Sequence, residues 1–494
     1  MLFRMIYDDA LAQAAYLIGC QRTGEAIIID PERDVDRYQA LARKEGVRIV
    51  AVAETHIHAD YLSGARELAE QGAKLYVSAM GGPDWTYRWL DKKGGSTSDR
   101  PPAEPRPYDH VELKDGTTFK VGNIQFKAIH TPGHTPEHVC FLVTDLGSGA
   151  TEPMGIATGD FVFVGDVGRP DLLETAAGQV GMAASSAKLL HHSIAKFLDL
   201  PDYLQVWPAH GSGSACGKAL GAVPQTTVGY EKRVNPALRA AAEGQDRFSS
   251  YVLSDQPDPP SYFARMKREN RDGPAVLGSL PRPPKVDAKT LASLDTARVA
   301  LVDTRPWDQF AAGHIRGSLS LLVNAQFSTE GGALIDPAED VYLVIDPAKL
   351  DEAVRALVRV GIDRIVGWAP PDAVIEAVAS GAPVAKIAEI DATVAKDRIA
   401  AGKTFVLDVR RRAENIEARV KDHPAGIFNV SHTRLATALD QIPKDADILV
   451  HCRGGVRSAR ACAYLQRRGH TVTNLAGGFM AWEKAGGSVE RGAK

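Results

Sequence analysis

The sequence predicts a multidomain α/β protein: a domain of sheets and helices built around a metal-holding cluster, followed by a small parallel α/β unit used twice. Three observations predict it. Strand-like runs in the first half end repeatedly in histidine or aspartate. A proline-rich segment, Leu280-Pro281-Arg282-Pro283-Pro284-Lys285, then interrupts the chain as a linker. Beyond it, strand-and-helix pairs recur at two matching places, the pattern of a parallel sheet. The length of 494 residues fits about three domains, and 44% hydrophobic with 24% charged residues is an ordinary globular composition.

The elements follow in order. Tyr16-Leu17-Ile18 and Ala26 to Ile29 predict short strands, and Val35 to Gly46 predicts a helix stopped by its glycine. Ile49 to Ala53, small and β-branched, predicts a buried strand. It runs into Glu54-Thr55-His56-Ile57-His58-Ala59-Asp60-Tyr61-Leu62-Ser63-Gly64, with a helix expected through Leu68 and Ala69. His-x-His-x-Asp at a strand end turns imidazoles and a carboxylate towards one place, where a metal fits. A polar loop of unrelated residues is the alternative, and matching strand ends downstream argue against it. Ile124 to Ala128 leads into the turn Ile129 to Thr135 with His130 and His134; Ile156 to Thr158 leads to Asp160; Trp207-Pro208-Ala209 leads to His210. The polar stretch Gly81 to Asp109 is expected to be a surface excursion near the site mouth. Leu172 to Leu200 predicts amphipathic helix, and its His191-His192 pair is read as non-ligating because neighbours in a helix do not share a face.

These motifs together resemble the metallo-β-lactamase superfamily, an αβ/βα sandwich with metal at the strand ends. The dinuclear zinc hydrolases of that superfamily continue His-x-His-x-Asp-His, whereas this chain has Tyr61. A phenol with a pKa of about 10 is a poor divalent-metal ligand near neutral pH, so one metal is expected. Gly165 to Asp171 and Pro208 to Lys218 are similar to persulfide dioxygenases. That resemblance implies one Fe(2+) per subunit held by His56, His134 and Asp160, a two-histidine, one-carboxylate set that leaves positions open for dioxygen and a sulfur substrate. It places His58, Asp60, Tyr61 and His210 close by, orienting the ligands, and Arg169, Cys216 and Lys218 at the substrate. His130 is then a structural histidine and Asp166 the rival carboxylate to Asp160. The residues from Thr226 to Asn270 resemble a helical tail packed on the sandwich, with Tyr230 and Lys232 as further candidates for an anionic carrier.

After the linker, Val299 to Arg305 matches Phe405 to Arg410, and Val341 to Asp346 matches Asp447 to Cys452. Gly313 to Ser318 is similar to the opening signature of rhodaneses, and His451-Cys452-Arg453-Gly454-Gly455-Val456-Arg457-Ser458 to their active-site loop. Cys452 is the expected nucleophile, with Arg453 and Arg457 assisting and Gly454, Gly455 and Ser458 lining the anion site. A glycine-rich turn at a helix N-terminus favours a thiolate and cradles thiosulfate. A tyrosine-phosphatase loop also pairs Cys with Arg, but across five residues rather than the four found here. In the first copy Asp346 stands where the cysteine would be, so that copy is expected to be silent. Asp422-His423-Pro424-Ala425-Gly426 departs from the family's pattern.

The expected domains are 1–280, 286–382 and 386–494, the last catalytic. The resemblance implies oxidation of a low-molecular-weight thiol persulfide such as glutathione persulfide by O2 to sulfite and thiol, coupled to thiosulfate formation. The alternative is a glyoxalase II-like zinc thioester hydrolase fused to a sulfurtransferase. A formal net charge of −3 argues against a nucleic-acid surface, and no apolar run approaches the roughly 20 residues that span a bilayer. The acidic N-terminus does not read as a signal peptide, and five irregularly spaced cysteines suit a reducing compartment, so a cytoplasmic homo-oligomer is expected.

Overall fold

The computed structural model describes residues 1–91, 107–175, 181–421 and 424–492. It divides into two compact units, 1–280 with 358–360, and 281–357 with 361–494. In the first unit, β1 (Leu2–Asp8), β2 (Gln13–Cys20), β3 (Glu25–Ile29), β4 (Arg48–Ala53), β5 (Lys74–Ser78) and β6 (His110–Leu113) form one sheet in sequence order. The second sheet runs β12 (Thr226–Thr227), β11 (Gln205–Pro208), β10 (Gly155–Gly159), β9 (Val139–Asp145), β8 (Ile124–His130) and β7 (Thr118–Val121). Both are mixed: β3 to β6 pair in parallel, as do β10 and β11, and the rest are antiparallel.

Alternation of side chains along β2 explains the stacking of layers. Ala14, Tyr16 and Ile18 point into the core between the sheets, with Ile29, Ala53, Phe126, Phe141 and Trp207. Ala15 and Leu17 point the other way, against Tyr38 of α1 (Asp36–Lys44) and Leu68 of α2 (Ala65–Glu70). The second sheet does the same: Ile156 and Val206 meet Leu190, Ile194 and Phe197 of α3 (Met182–Leu198). A strand buried on both faces must be apolar throughout, which is why β2 to β4 read as continuous hydrophobic runs. Each such fully buried large side chain stabilises the fold by roughly 1.5–3 kcal/mol relative to exposure. The result is the four-layer αβ/βα sandwich.

Two expectations need correction here. Residues 92–106 lie outside the described residues, but the flanks of the Gly81–Asp109 stretch are no surface excursion: Trp85, Tyr87, Trp89, Leu90 and Tyr108 are buried in the outer core. Trp85, Tyr87 and Trp89 alternate with polar residues, a local sign of one buried face, but the polar residues around them dominated the reading. His130 is not in a turn but ends β8, and its Nε2 pairs with the Pro136 carbonyl at 2.8 Å. Helix α4 (Phe263–Asp272) belongs to the tail after β12 and bears Asn270, which returns to the site. Among the described residues no helix is long and apolar enough to cross a membrane.

The second unit holds two parallel sheets. The first is β13 (Val299–Asp303), β14 (Leu319–Ser320), β15 (Asp340–Val344) and β16 (Ile365–Ala369), ordered β14-β13-β15-β16. The second is β17 (Ala388–Ile390), β18 (Thr404–Asp408), β19 (Ile427–Asn429), β20 (Asp447–His451) and β21 (Thr471–Leu475), ordered β17-β21-β20-β18-β19. The repeat extends to side chains. Arg305 pairs with Asp303 at 2.6 Å and donates to the Gly313 carbonyl, as Arg410 pairs with Asp408 at 2.6 Å and donates to the Ala418 carbonyl. In the first copy Asp346 is a cap, its carboxylate accepting from the Ala348 amide at 2.9 Å. The copies are joined by buried ion pairs, Arg460 to Glu330 at 3.1 Å and Arg467 to Glu339 at 2.8 Å. Breaking one such buried pair by removing a partner costs on the order of 3–5 kcal/mol.

Candidate active sites

In the first unit the ends of β4, β8, β10 and β11 meet. His56 follows β4, His134 follows β8 and Asp160 follows β10, and their donor atoms lie within 4.8 Å of one another. The Asp160 carboxylate sits 3.4 Å from His134 Nε2 and 4.0 Å from His56 Nε2, and neither of its oxygens has a hydrogen-bond partner among the described residues. The other nitrogen of each ring is engaged. His56 Nδ1 is 3.0 Å from Thr55 Oγ1, whose hydroxyl donates to Asp30 Oδ2 at 2.8 Å. Because that hydroxyl proton goes to the carboxylate, Thr55 accepts from His56, which leaves the Nε2 lone pair facing Asp160. His134 Nδ1 faces the Arg169 carbonyl at 3.1 Å, with the same consequence. Burial, helped by neighbouring imidazoles, pushes the His56 pKa well below its ordinary value. Burial also lowers His134, against the opposing pull of Asp160. Two neutral nitrogens and one buried, unsatisfied carboxylate oxygen are the donor set of a divalent metal.

The cluster is held by residues that sequence reasoning missed. His138 is fully buried, and its Nε2 accepts from the Asp160 amide at 3.1 Å while Nδ1 meets Thr131 Oγ1 at 2.8 Å. Glu137 accepts from the Ile57 amide at 2.8 Å, between the two histidines of the motif. Asn270 of α4 donates to the His58 and Tyr61 carbonyls, each at 2.8 Å. Gly159 has φ 51° and admits no side chain, since a Cβ there would lie 2.5 Å from Thr55 Oγ1 and 2.8 Å from His138 Nε2. The run Pro136-Glu137-His138 was the available signal; Asn270 and Asp30 are too distant in sequence to have given one.

The remaining expected residues form two neighbouring groups. Asp60, His210 and Cys216 lie together, with His210 Nε2 at 3.3 Å from Asp60 and 3.4 Å from Asp160. Burial raises the Asp60 carboxyl and, with Asp160 and Asp60 adding to it, lifts the Cys216 thiol well above its ordinary range. His58 stands apart with Asp30 and Glu54. Tyr61 is buried and away from the ligands, its hydroxyl donating to the Asp30 carbonyl at 3.2 Å. Asp166 receives the Val167, Lys218 and Ala219 amides and braces a loop.

Arg169, expected at the substrate, is buried, forked onto Asp171 at 2.8 and 2.6 Å and donating to the Ala215 and Pro257 carbonyls. Its contribution to the site is the carbonyl that orients His134. Lys218 also turns from solvent to the Tyr251 and Ser254 carbonyls and lies over the Tyr251 ring. Lys232 pairs with Asp202, whereas Tyr230 is exposed.

In the second unit Cys452 follows β20 and precedes α5 (Val456–Arg467). The Gly455 amide donates to Sγ at 3.1 Å, and the Ser458 hydroxyl lies at 3.5 Å. Gly455 takes φ 93°, which turns its amide to the sulfur. Arg453 and Gly454 are exposed, while Arg457 is forked onto Glu414 at 2.7 and 2.8 Å. Burial opposes ionisation of Glu414, but Arg457 prevails and holds the carboxyl below its ordinary range. From behind, the Cys452 carbonyl accepts from the Phe479 amide at 2.7 Å, and a Cβ on Gly478 would come within 2.4 Å of that carbonyl. The Gly477-Gly478 pair and Glu414 were missed; the doubled glycine was the signal. Asp422 and His423, which depart from the rhodanese pattern, lie outside the described residues.

Comparison with known proteins places these sites in context. The metallo-beta-lactamase superfamily profile matches residues 8–210, and the rhodanese-like domain profile matches 287–366 and 391–485. A crystal structure of a metallo-beta-lactamase from Staphylococcus aureus subsp. aureus COL is 37% identical, with a TM-score of 0.62 over 75% of this chain and 99% of that one. The mitochondrial persulfide dioxygenase ETHE1 of Bos taurus is 25% identical over 249 residues, 49% of this chain and 78% of that protein. The hydroxyacylglutathione hydrolase of a Polaromonas species is 28% identical, covering 53% of this chain and 96% of that protein.

Proposed function

Because the chain belongs to the metallo-beta-lactamase superfamily and carries rhodanese-like domains after it, we propose that it is an iron-dependent persulfide dioxygenase with a sulfurtransferase site. The carrying observation is Asp160, a buried carboxylate without a hydrogen-bond partner among the described residues, facing two neutral Nε2 atoms. His56, His134 and Asp160 would hold one Fe(2+), which supplies the one-electron chemistry that lets dioxygen react with a thiol persulfide. Persulfide, dioxygen and water then give thiol, sulfite and protons. The chain's residues keep the imidazoles neutral by burial and fix their tautomers through Thr55 and Arg169. Cys216, beside Asp60 and His210, borders the space where the persulfide sulfur would lie.

At the other site the Cys452 thiolate takes the outer sulfur of a persulfide and releases the thiol. The Gly455 amide and Ser458 hydroxyl stabilise the sulfur anion. Passing that sulfur to sulfite gives thiosulfate and returns the thiolate. The catalytic domain would span 386–494, and 286–382 would be the silent copy. Small-molecule persulfide, O2, sulfite and thiosulfate are the partners, and a cytoplasmic homo-oligomer remains part of the reading.

The test is metal analysis of anaerobically purified protein together with oxygen uptake on glutathione persulfide. About one iron per chain and stoichiometric oxygen consumption are expected. Two zinc ions per chain with thioester hydrolysis would establish the alternative, which the hydrolase similarity brings into play.

A further inference from the structure

The histidine at the centre of the His-x-His-x-Asp motif does not join the other donors. His58 lies beside the ligand set, its ring centroid 4.1 Å from that of His56, yet its Nε2 is turned to two carboxylates. Asp30 Oδ1 and Glu54 Oε2 each stand 3.2 Å from it. The ring is packed between His56 and Tyr61, 4.5 Å away on its other side. The main chain is pinned on both flanks, by Glu137 at the Ile57 amide and Asn270 at the His58 carbonyl. Both carboxylates are themselves fixed: Glu54 accepts from Ser63 Oγ at 2.5 Å, and Asp30 accepts from the Thr55 amide and hydroxyl.

We propose that Asp30 and Glu54 form a clamp that withholds His58 from the metal held by His56, His134 and Asp160, so that the coordination position a third imidazole would take stays open. This rests on the metal-centre reading above. A third imidazole on the metal would fill a position that dioxygen or the substrate sulfur requires and would move the donor set towards the closed arrangement favoured by zinc. His58 is thus a positioning element by its absence from the metal. Tyr61 supports the clamp twice, through its ring against His58 and its hydroxyl to the Asp30 carbonyl. That gives this position a task other than the one inferred from a missing ligand.

The test measures metal affinity by chelator competition in the full-length protein, with iron(II) and with zinc, for His58→Gln, Glu54→Ala and the double variant. The clamp predicts that His58→Gln binds within about threefold of wild type, since no ligand is lost. Glu54→Ala should bind about tenfold tighter or more as His58 reaches the metal, in the range of changes around metal ligands, and the double variant should return to wild type. A loss of about tenfold or more in His58→Gln would overturn the proposal, because His58 would then be a ligand. Unchanged affinity in a folded Glu54→Ala would overturn it too, since the proposal requires both carboxylates and Asp30 alone would then hold His58 back. If Glu54→Ala does not fold, Glu54→Gln takes its place and His58→Gln decides. A wild type selecting zinc without oxygen uptake would defeat the dioxygenase reading, while the affinity comparison still reads the clamp with either ion.

Discussion

Replacing Thr55 with valine tests how the metal ligands are prepared. Valine matches the shape of threonine, so the fully buried site gains no cavity and the change is confined to one hydroxyl. That hydroxyl lies 2.8 Å from Asp30 Oδ2 and 3.0 Å from His56 Nδ1. Its removal leaves a buried acceptor and a buried donor unsatisfied, at about 1–3 kcal/mol each. It also frees His56 to place its proton on Nε2, where a metal would bind. Loss of such an orienting partner lowers metal affinity by about 10–100-fold, or about 1.4–2.8 kcal/mol at 1.4 kcal/mol per decade. Chelator competition on the Thr55→Val variant reads the affinity, and a thermal melt of the metal-free form reads the stability separately. A folded variant that binds metal within about twofold of wild type would refute the tautomer argument, and with it the claim that Asp30 acts on His56 through Thr55.

Four further outcomes are expected. His134→Ala or Asp160→Ala should abolish oxygen consumption and leave thiosulfate-to-thiol sulfur transfer intact; loss of both activities in a folded variant would contradict separate sites. Cys452→Ser should continue to oxidise persulfide but end at sulfite, and thiosulfate yields equal to wild type, after correction for the uncatalysed reaction, would remove Cys452 from the transfer. Cys216→Ser should raise the apparent KM for persulfide, and an unchanged KM would leave the cysteine without a substrate role. Acid should loosen the rhodanese-like unit. Glu414 and Asp408 are depressed below their ordinary values of 4.5 and 3.8 despite burial, by Arg457 in one case and by His451 and Arg410 in the other. Their stabilisation is therefore complete above those values and lost as pH falls through the lower folded ones. Denaturant midpoints that do not change between pH 5 and pH 3 in this unit would contradict that sign.

Elements whose residues repeat at short intervals were legible in the sequence. The buried strands β2 to β4, the strand-end positions of His56, His134 and Asp160, and the Cys452 turn are all encoded within a few residues. The repeat of Asp303 and Arg305 by Asp408 and Arg410 was visible, and the structure adds its purpose, a bidentate brace carried in both copies. What sequence could not give was direction. Arg169 lies in a stretch that looks like a substrate contact, yet its guanidinium is turned inward to Asp171 while its carbonyl serves His134. The aromatic residues flanking the polar stretch after Gly81 looked exposed because the polar residues around them outweighed the short alternation of Trp85, Tyr87 and Trp89, and the core they join is built from distant parts of the sequence. Asn270, more than 200 residues beyond His58 and Tyr61, shows the same limit: the fold alone brings it to the motif.

The surroundings of the cysteines bear on why the proposed sulfur transfer and metal chemistry would occupy different positions. A thiol serves as a sulfur carrier only when hydrogen-bond donors are directed at its anion. Burial without enough of them pushes the Cys140 thiol up to about 12, although Thr131 partly offsets it. Burial also lifts the Cys216 thiol well above its ordinary range, and the nearby Asp160 and Asp60 add to the effect. Carboxylates that suit a cation are the wrong neighbours for a thiolate. Cys452 has the opposite surroundings, an inward-turned amide, a hydroxyl and the start of a helix, with Glu414 held by Arg457 rather than facing the sulfur. Placing both chemistries in one pocket would set these requirements against each other, since each carboxylate that helps hold a metal disfavours the sulfur anion. Under the proposed function, two sites with opposite electrostatics would let sulfite form at one and accept sulfur at the other.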